Sequence, residues 1–150
     1  MIQNDHQYRV TQTKLRDLEQ SLSNLDSNRG NLTERLLKAE KKGIQVLIDR
    51  LSAEIAEYDN LKQHKTAIEI ASIDELALGL IKARIALGMT QKELAAKIGV
   101  QEQQIQRYED NQYASASLTR LTEISHALEI IFVRPVEFQM GLSSLAEPLH

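Results

Sequence analysis

A run of polar side chains in the second half of the chain could do hydrogen-bonding chemistry: Gln101-Glu102-Gln103-Gln104-Ile105-Gln106-Arg107. A Gln side chain offers a donor and an acceptor together, and an Arg side chain offers a planar fork of donors. If the run is the start of a helix, these groups project from its first turns and could recognise another molecule. The alternative interpretation is that the run is an ordinary solvated helix face.

Catalysis and metal binding find little support in the residue types. The 150-residue chain has no Cys, and its four histidines are scattered at positions 6, 64, 126 and 150. The H-x-x-x-H, P-loop, G-x-G-x-x-G and G-x-S-x-G patterns do not occur. We therefore expect no catalytic residue, no bound metal and no cofactor, and the lack of cysteine fits a reducing compartment.

Three short helices are predicted around the polar run. Leu76, Leu80, Ala83 and Leu87 repeat at helical spacing before a stop at Gly88. Thr90 and Glu93 form a capping-box pattern that starts a short helix ending at Gly99. A further helix follows Val100 and turns Ile105 and Tyr108 inward, which makes a helix-turn-helix.

Residues 84–128 resemble the helix-turn-helix domain of the phage Cro/lambda-repressor (Xre) class. The matching residues are Arg84-Ile85-Ala86-Leu87-Gly88-Met89-Thr90-Gln91, Glu93-Leu94-Ala95, Ile98-Gly99-Val100, Ile105, Glu109 and Ala127-Leu128. The resemblance implies a lambda-repressor-like bundle that binds operator DNA. More loosely, a helical region ahead of such a domain is similar to the antitoxin side of some toxin–antitoxin pairs.

The resemblance implies that helix 101–109 reads bases in the major groove. Gln103 falls where the family reads base edges and suits adenine, whereas Arg107 suits guanine or a phosphate. Gln104 belongs to the same reading set. Glu102 departs from the uncharged residue common in the family, and it could either accept from cytosine or repel phosphates.

Backbone contacts are also implied. Gln91, with Lys92 beside it, stands where the family holds a phosphate at a helix N-terminus. Family members often carry Lys or Arg in the loop after Glu109, but here neutral donors are expected instead: Asn111, Tyr113 and Ser115. Arg84 and Glu109 fall where the family places a structural ion pair.

Charge gives no general attraction to DNA, because the net charge is −3 and no region is strongly basic. Residues 1–73 hold 11 basic and 11 acidic side chains, residues 74–134 hold 7 and 8, and residues 135–150 hold 0 and 2. Binding must then come from a local patch, and we expect a shallow salt dependence.

An antiparallel helical hairpin is predicted for residues 1–65. Leucines at 15, 18, 22 and 25 form a stripe of coiled-coil type, and turn residues 27–31 end this first helix. Asn31 and Glu34 resemble a capping box for a second helix over 32–62, whose stripe is Ile44, Leu47, Leu51, Ile55, Tyr58 and Leu61. Residues 11–62 could dimerise with a second copy or bind a partner protein such as a toxin.

The complete expectation is a mainly α protein with a small β ribbon. Residues 67–73 and 130–133 are candidate strands that would pair on either side of the helices. The predicted divisions are the hairpin at 1–65, the DNA-binding domain with its flanking strands at 66–134 and a tail at 135–150. No apolar stretch is long enough for a membrane span, so a soluble, cytoplasmic protein is expected.

Two functional hypotheses follow from these features. The first is a homodimeric, sequence-specific regulator that binds double-stranded operator DNA, as a repressor of its own operon. The second is an antitoxin or adaptor in which the hairpin binds a partner protein and DNA binding is secondary.

Overall fold

The computed structural model describes residues 1–28, 30–64 and 67–137. In these ranges the chain forms α-helices and no β-strand, so the mainly α prediction is confirmed. The helices are α1 (Asp5–Ser27), α2 (Glu34–Lys62), α3 (Leu76–Ala86), α4 (Gln91–Ile98), α5 (Glu102–Asp110) and α6 (Leu118–Ala127), with a short 3-10 turn at Ile73–Glu75 ahead of α3.

Helices α1 and α2 form the predicted hairpin, with two corrections. Thr33, not Asn31, caps α2, because Thr33 has the extended backbone directly before Glu34 and its hydroxyl accepts from the Leu36 N–H at 3.3 Å. Leu47 is 46% exposed whereas Ile48 is 8% exposed, so Ile48 takes the inward position. A helical face continues from Ile44 by four residues here rather than three.

The helix-turn-helix region has the predicted local structure. Gly88 and Gly99 adopt positive φ at the ends of α3 and α4, where a side chain would be strained. Thr90 and Glu93 form both hydrogen bonds of the capping box at the start of α4. The Ser117 hydroxyl accepts from the Arg120 N–H and caps α6.

A single hydrophobic core joins the base of the hairpin to the helix-turn-helix. Its contributors from the hairpin side are Ile2, Tyr58 and Leu61, and its contributors from the other helices include Leu80, Ile81, Ile85, Leu94, Ile105, Ile124 and Leu128. Leu61 and Leu80 are each 1% exposed. The two regions therefore exclude water together at their junction.

The predicted β ribbon is wrong for the described residues. Residues 67–72 lie against α3 at Gly79, where an added Cβ would sit 2.6 Å from Ile70 Cδ1. At the other segment, the Ile130 N–H donates to the Ser125 carbonyl, and Glu129 at φ +54° turns the chain out of α6. Packing against α3 overrides the β propensity of the first segment. The second segment has no strand partner among the described residues, and its residues Ile131, Phe132 and Val133 are exposed.

The predicted tail at 135–150 is described only as far as Glu137, and residues 138–150 lie outside the described residues. Among the residues that the structure does describe, none of the helices combines the length and apolar character needed to cross a membrane.

Candidate nucleic-acid interface

Helix α5 is held firmly on one face and exposed on the other. Ile105 and Glu109 are 0% exposed and Tyr108 is 9% exposed, so three buried side chains spaced over little more than one turn fix the helix to the core. The predicted base-reading side chains on the other face are Glu102, Gln103 and Arg107, which are exposed, and Gln104, which is half-buried. These side chains extend into solvent from a rigid support.

Gln106 belongs with this exposed face, although the sequence-based set of base-reading residues omits it. Its Nε2 lies 3.4 Å from Glu102 Oε1, one helical turn away. The signal in the sequence was the i, i+4 spacing of two polar residues in the same run. Gln106 can therefore hold the Glu102 carboxylate or contact a ligand beside it.

The start of α4 combines a cap with one exposed cation. The Glu93 carboxylate accepts from the Thr90 backbone N–H at 2.7 Å, and this bond, with a second from the Thr90 hydroxyl, lowers the pKa of Glu93. Lys92 is exposed beside this cap. Gln91 is only 6% exposed, and its Nε2 donates to Glu109 Oε2 at 2.7 Å. The Gln91 side chain therefore points inward in this structure.

Arg84 and Glu109 are brought together as a buried, two-pronged ion pair. Arg84 Nε donates to Glu109 Oε1 at 2.5 Å, and Arg84 Nη2 donates to Oε2 at 2.8 Å. Both side chains are almost fully buried, at 2% and 0% exposure. Removing one partner of such a pair leaves an uncompensated charge in the core, which is strongly destabilising.

Of the three residues in the loop after α5 that are predicted to contact the DNA backbone, two are exposed and one is buried. Asn111 and Ser115 are exposed, and Asn111 Nδ2 donates to Ser115 Oγ at 2.9 Å. Tyr113 instead is 4% exposed, has φ +59°, and stacks on Tyr108 with ring centroids 5.8 Å apart. Its hydroxyl is buried with no hydrogen-bond partner, and this burial raises the pKa of Tyr113.

A groove of about 460 Å³ lies between the start of α1 and helices α4 and α5. Its lining includes Asn4, His6, Gln91, Glu102 and Gln106. Residues 4–7 could not be expected at this position from the sequence, because nothing in their types points to helices about 90 residues further along the chain. The first turn of α1 consequently borders the exposed face of α5.

The arrangement of α4 and α5 is that of a helix-turn-helix DNA-binding domain. Residues 80–130, which run from α3 to just beyond α6, match a helix-turn-helix family model. Residues 80–130 are therefore similar to the Cro/C1-type, Xre-like helix-turn-helix, and the predicted resemblance is confirmed over those residues. A domain of this class is a DNA-binding part of transcriptional regulators rather than an enzyme domain. No curated protein and no solved structure matches the chain.

Proposed function

We propose that the protein is a sequence-specific transcriptional regulator that represses its own operon. The observation that carries this proposal is the first two turns of α5, where Glu102, Gln103 and Arg107 are exposed on a helix fixed by buried residues. Rigid support of this kind is what a helix needs to read base edges in the major groove. The regulator acts where it can reach DNA, which we expect to be the cytoplasm.

The proposed roles divide between base reading and backbone contact. Gln103 pairs with adenine, Arg107 pairs with guanine or a phosphate, and Glu102 accepts from cytosine or repels phosphates. Gln104 completes the base-reading set. Backbone contacts come from the α4 N-terminus with Lys92, and from Asn111 and Ser115, the exposed neutral donors in the loop after α5.

A homodimer is part of the proposal, because one short helix reads too few base pairs for high specificity. Two copies would read half-sites about 34 Å apart, one turn of the duplex. Few cations stand on the proposed face of each protomer, with Lys92 and Arg107 exposed there. We expect the dimer's affinity to fall with salt at a log–log slope of about −4, since each neutralised phosphate contributes about −0.9.

The test is fluorescence anisotropy on a labelled duplex taken from upstream of the protein's own gene, against a scrambled duplex. We expect the native duplex to bind about 10³-fold tighter or more. The double variant Gln103→Ala/Arg107→Ala should lose about 10²-fold or more of that preference, because each good side-chain-to-base contact is worth about 1–3 kcal/mol.

The matched control is Gln45→Ala/Arg50→Ala, which removes the same residue types from the exposed surface of α2. This control should bind both duplexes like the wild type. Retained preference in the Gln103/Arg107 variant would remove these residues from the reading role. Loss of preference in the control as well would point to a general defect rather than to base reading.

A second candidate function is that of an antitoxin or adaptor whose hairpin binds a partner protein. The observation favouring it is apolar exposure along α2, where Leu36 is 57%, Val46 58% and Leu47 46% exposed. Exposed apolar side chains at helical spacing suit a partner that packs across a helix. Equal and weak binding of the wild type to both duplexes would favour this second function.

A further inference from the structure

Residues 2 and 3 lie deep against the helix-turn-helix, far from it in sequence. Ile2 is 3% exposed and belongs to the core that also holds Leu80 and Ile85. The Gln3 carbonyl accepts from Arg84 Nη2 at 2.7 Å, a contact between residues 81 positions apart. The segment Ile2–Gln3 therefore covers the buried guanidinium directly.

Arg84 has a nearly complete set of partners at this point. Besides its two bonds to Glu109, Arg84 Nη1 donates to the Met89 carbonyl at 2.9 Å and Nη2 donates to Gln3. Since Arg84 is 2% exposed, each of these acceptors replaces water that the guanidinium has lost. Moving the Gln3 carbonyl away would leave a buried charged group short of an acceptor.

The hydrogen bonds of Arg84 continue through Glu109 to both α4 and α5. Glu109 belongs to α5, and its Oε2 accepts from Gln91, the first residue of α4. One connected path runs from the Gln3 carbonyl through Arg84 and Glu109 to Gln91. The Gln3 carbonyl is thus one end of a hydrogen-bond network that reaches α5 and the first residue of α4.

The start of α1 is also tied to the end of α2. Tyr58 donates to Asp5 at 2.8 Å, Tyr8 donates to Asp59 at 2.8 Å, and the two rings stack with centroids 5.0 Å apart. Lys62 Nζ lies 3.3 Å from Asp5. Any movement of α1 against α2 at this end would be passed to the segment Ile2–Gln3.

We propose that the segment Ile2–Gln3 is a positioning part of the DNA-binding site, acting through Arg84 on α5 and on the start of α4. The hairpin and the reading helix are then one mechanical unit, and the DNA-binding unit extends beyond the family-matched residues 80–130. This inference rests on the proposed function in naming DNA as the ligand. The claim that the segment Ile2–Gln3 positions Arg84 does not depend on DNA being the ligand.

The experiment uses the full chain with Ile2→Ala, and Val10→Ala as the matched control on the exposed side of α1. Two readouts are taken: the NMR signals of the Arg84 Nε–H and Gln91 side-chain amide, and anisotropy on the native and scrambled duplexes. For Ile2→Ala we expect both NMR signals to shift and the preference for the native duplex to fall by about ten-fold. Val10→Ala should change neither, and Ile2→Leu should restore both.

The proposal is overturned if Ile2→Ala folds with wild-type helicity and leaves the Arg84 and Gln91 signals in place. It is also overturned if those signals shift while the preference for the native duplex stays at the wild-type value. If Ile2→Ala does not fold, Ile2→Val makes a smaller change and must shift the same signals in the same direction. A wild type that binds both duplexes equally would reject the proposed function, while the NMR readout still decides whether residues 2 and 3 set the network.

Discussion

Tyr58 and Tyr113 are both buried phenols, but their hydroxyls have different surroundings. Tyr58 is 4% exposed and donates to Asp5, and this bond is the largest cause of the lowered pKa of Asp5. Tyr113 is equally buried at 4%, and its hydroxyl has no hydrogen-bond partner. A buried polar group without a partner costs folding free energy, whereas a bond to a carboxylate stabilises the fold.

Removing each hydroxyl should therefore have opposite consequences. We expect Tyr58→Phe to lower the free energy of unfolding by about 1 kcal/mol, because it removes a hydrogen bond to a carboxylate, although Asp5 stays exposed and keeps Lys62 as a partner. We expect Tyr113→Phe to cost nothing measurable or to stabilise slightly, and to leave DNA affinity unchanged. Urea unfolding followed by circular dichroism measures the first quantity and anisotropy the second. A loss of DNA affinity in Tyr113→Phe would mean that the hydroxyl turns outward to the DNA backbone, as expected from the neutral donors of this loop.

Helix α4 has eight residues, too few to be stable alone, so the capping interactions at its two ends contribute much of its stability. Its N-terminus has the Thr90–Glu93 capping box, and its C-terminus is Gly99 at φ +71°. Glu93 has a lowered pKa because it accepts from the Thr90 backbone N–H. The contribution of a carboxylate with a lowered pKa is present above its ordinary pKa and is lost as the pH falls through the lowered value.

Thr90→Ala should thus destabilise the protein by about 1 kcal/mol at neutral pH, as loss of an N-cap does. The difference from wild type should narrow as the pH falls through the lowered pKa of Glu93, because the Thr90 hydroxyl then loses its carboxylate acceptor. Thermal unfolding over a pH series measures this. Ser117→Ala is the matched control, because the Ser117 cap on α6 has Arg120 rather than a carboxylate three residues later. Equal pH dependence in the two variants would contradict the role given to Glu93.

The features of the fold that depend on residues close together in the sequence could be predicted from it. The cap at Thr90, the stops at Gly88 and Gly99, and the inward Ile105 all follow from spacing and residue type. The ribbon failed because β propensity in a short segment yields to whatever tertiary partner is nearest, here Gly79 on α3. Gln3 could not have been found, because its contact uses a backbone carbonyl, which every residue has.

The helical hairpin is long, and only one end of it packs against the helix-turn-helix. Helix α1 has 23 residues, so it extends for about 34 Å at 1.5 Å per residue. The end of the hairpin with Ile2, Tyr58 and Leu61 belongs to the core of the helix-turn-helix. The rest of the hairpin buries its own apolar side chains, among them Leu37 and Ile48. Adjacent residues on α2 therefore report on different properties, since Ile48 is inside the hairpin and Leu47 is on its surface.

Ile48→Asp should reduce helix content and lower the thermal midpoint, because it places a carboxylate among apolar side chains. Leu47→Asp should change the free energy of unfolding by no more than about 0.5 kcal/mol, as exposed substitutions do. Circular dichroism measures both, and sedimentation measures whether Leu47→Asp alters the assembly state. Similar losses of helix content in the two variants would contradict the assignment of Ile48 to the inside.

The segment that leaves α6 is also a hazard to solubility. Ile131, Phe132 and Val133 are 82%, 66% and 93% exposed, and together they make a short uncharged run of β-forming residues. We expect such an exposed run to favour association between chains in concentrated solution. Arg134 and Pro135 follow immediately, and a charge followed by a residue without a backbone N–H interrupts strand-to-strand addition. We therefore expect these two residues to limit association through this apolar run, a role separate from that of the DNA-binding helices.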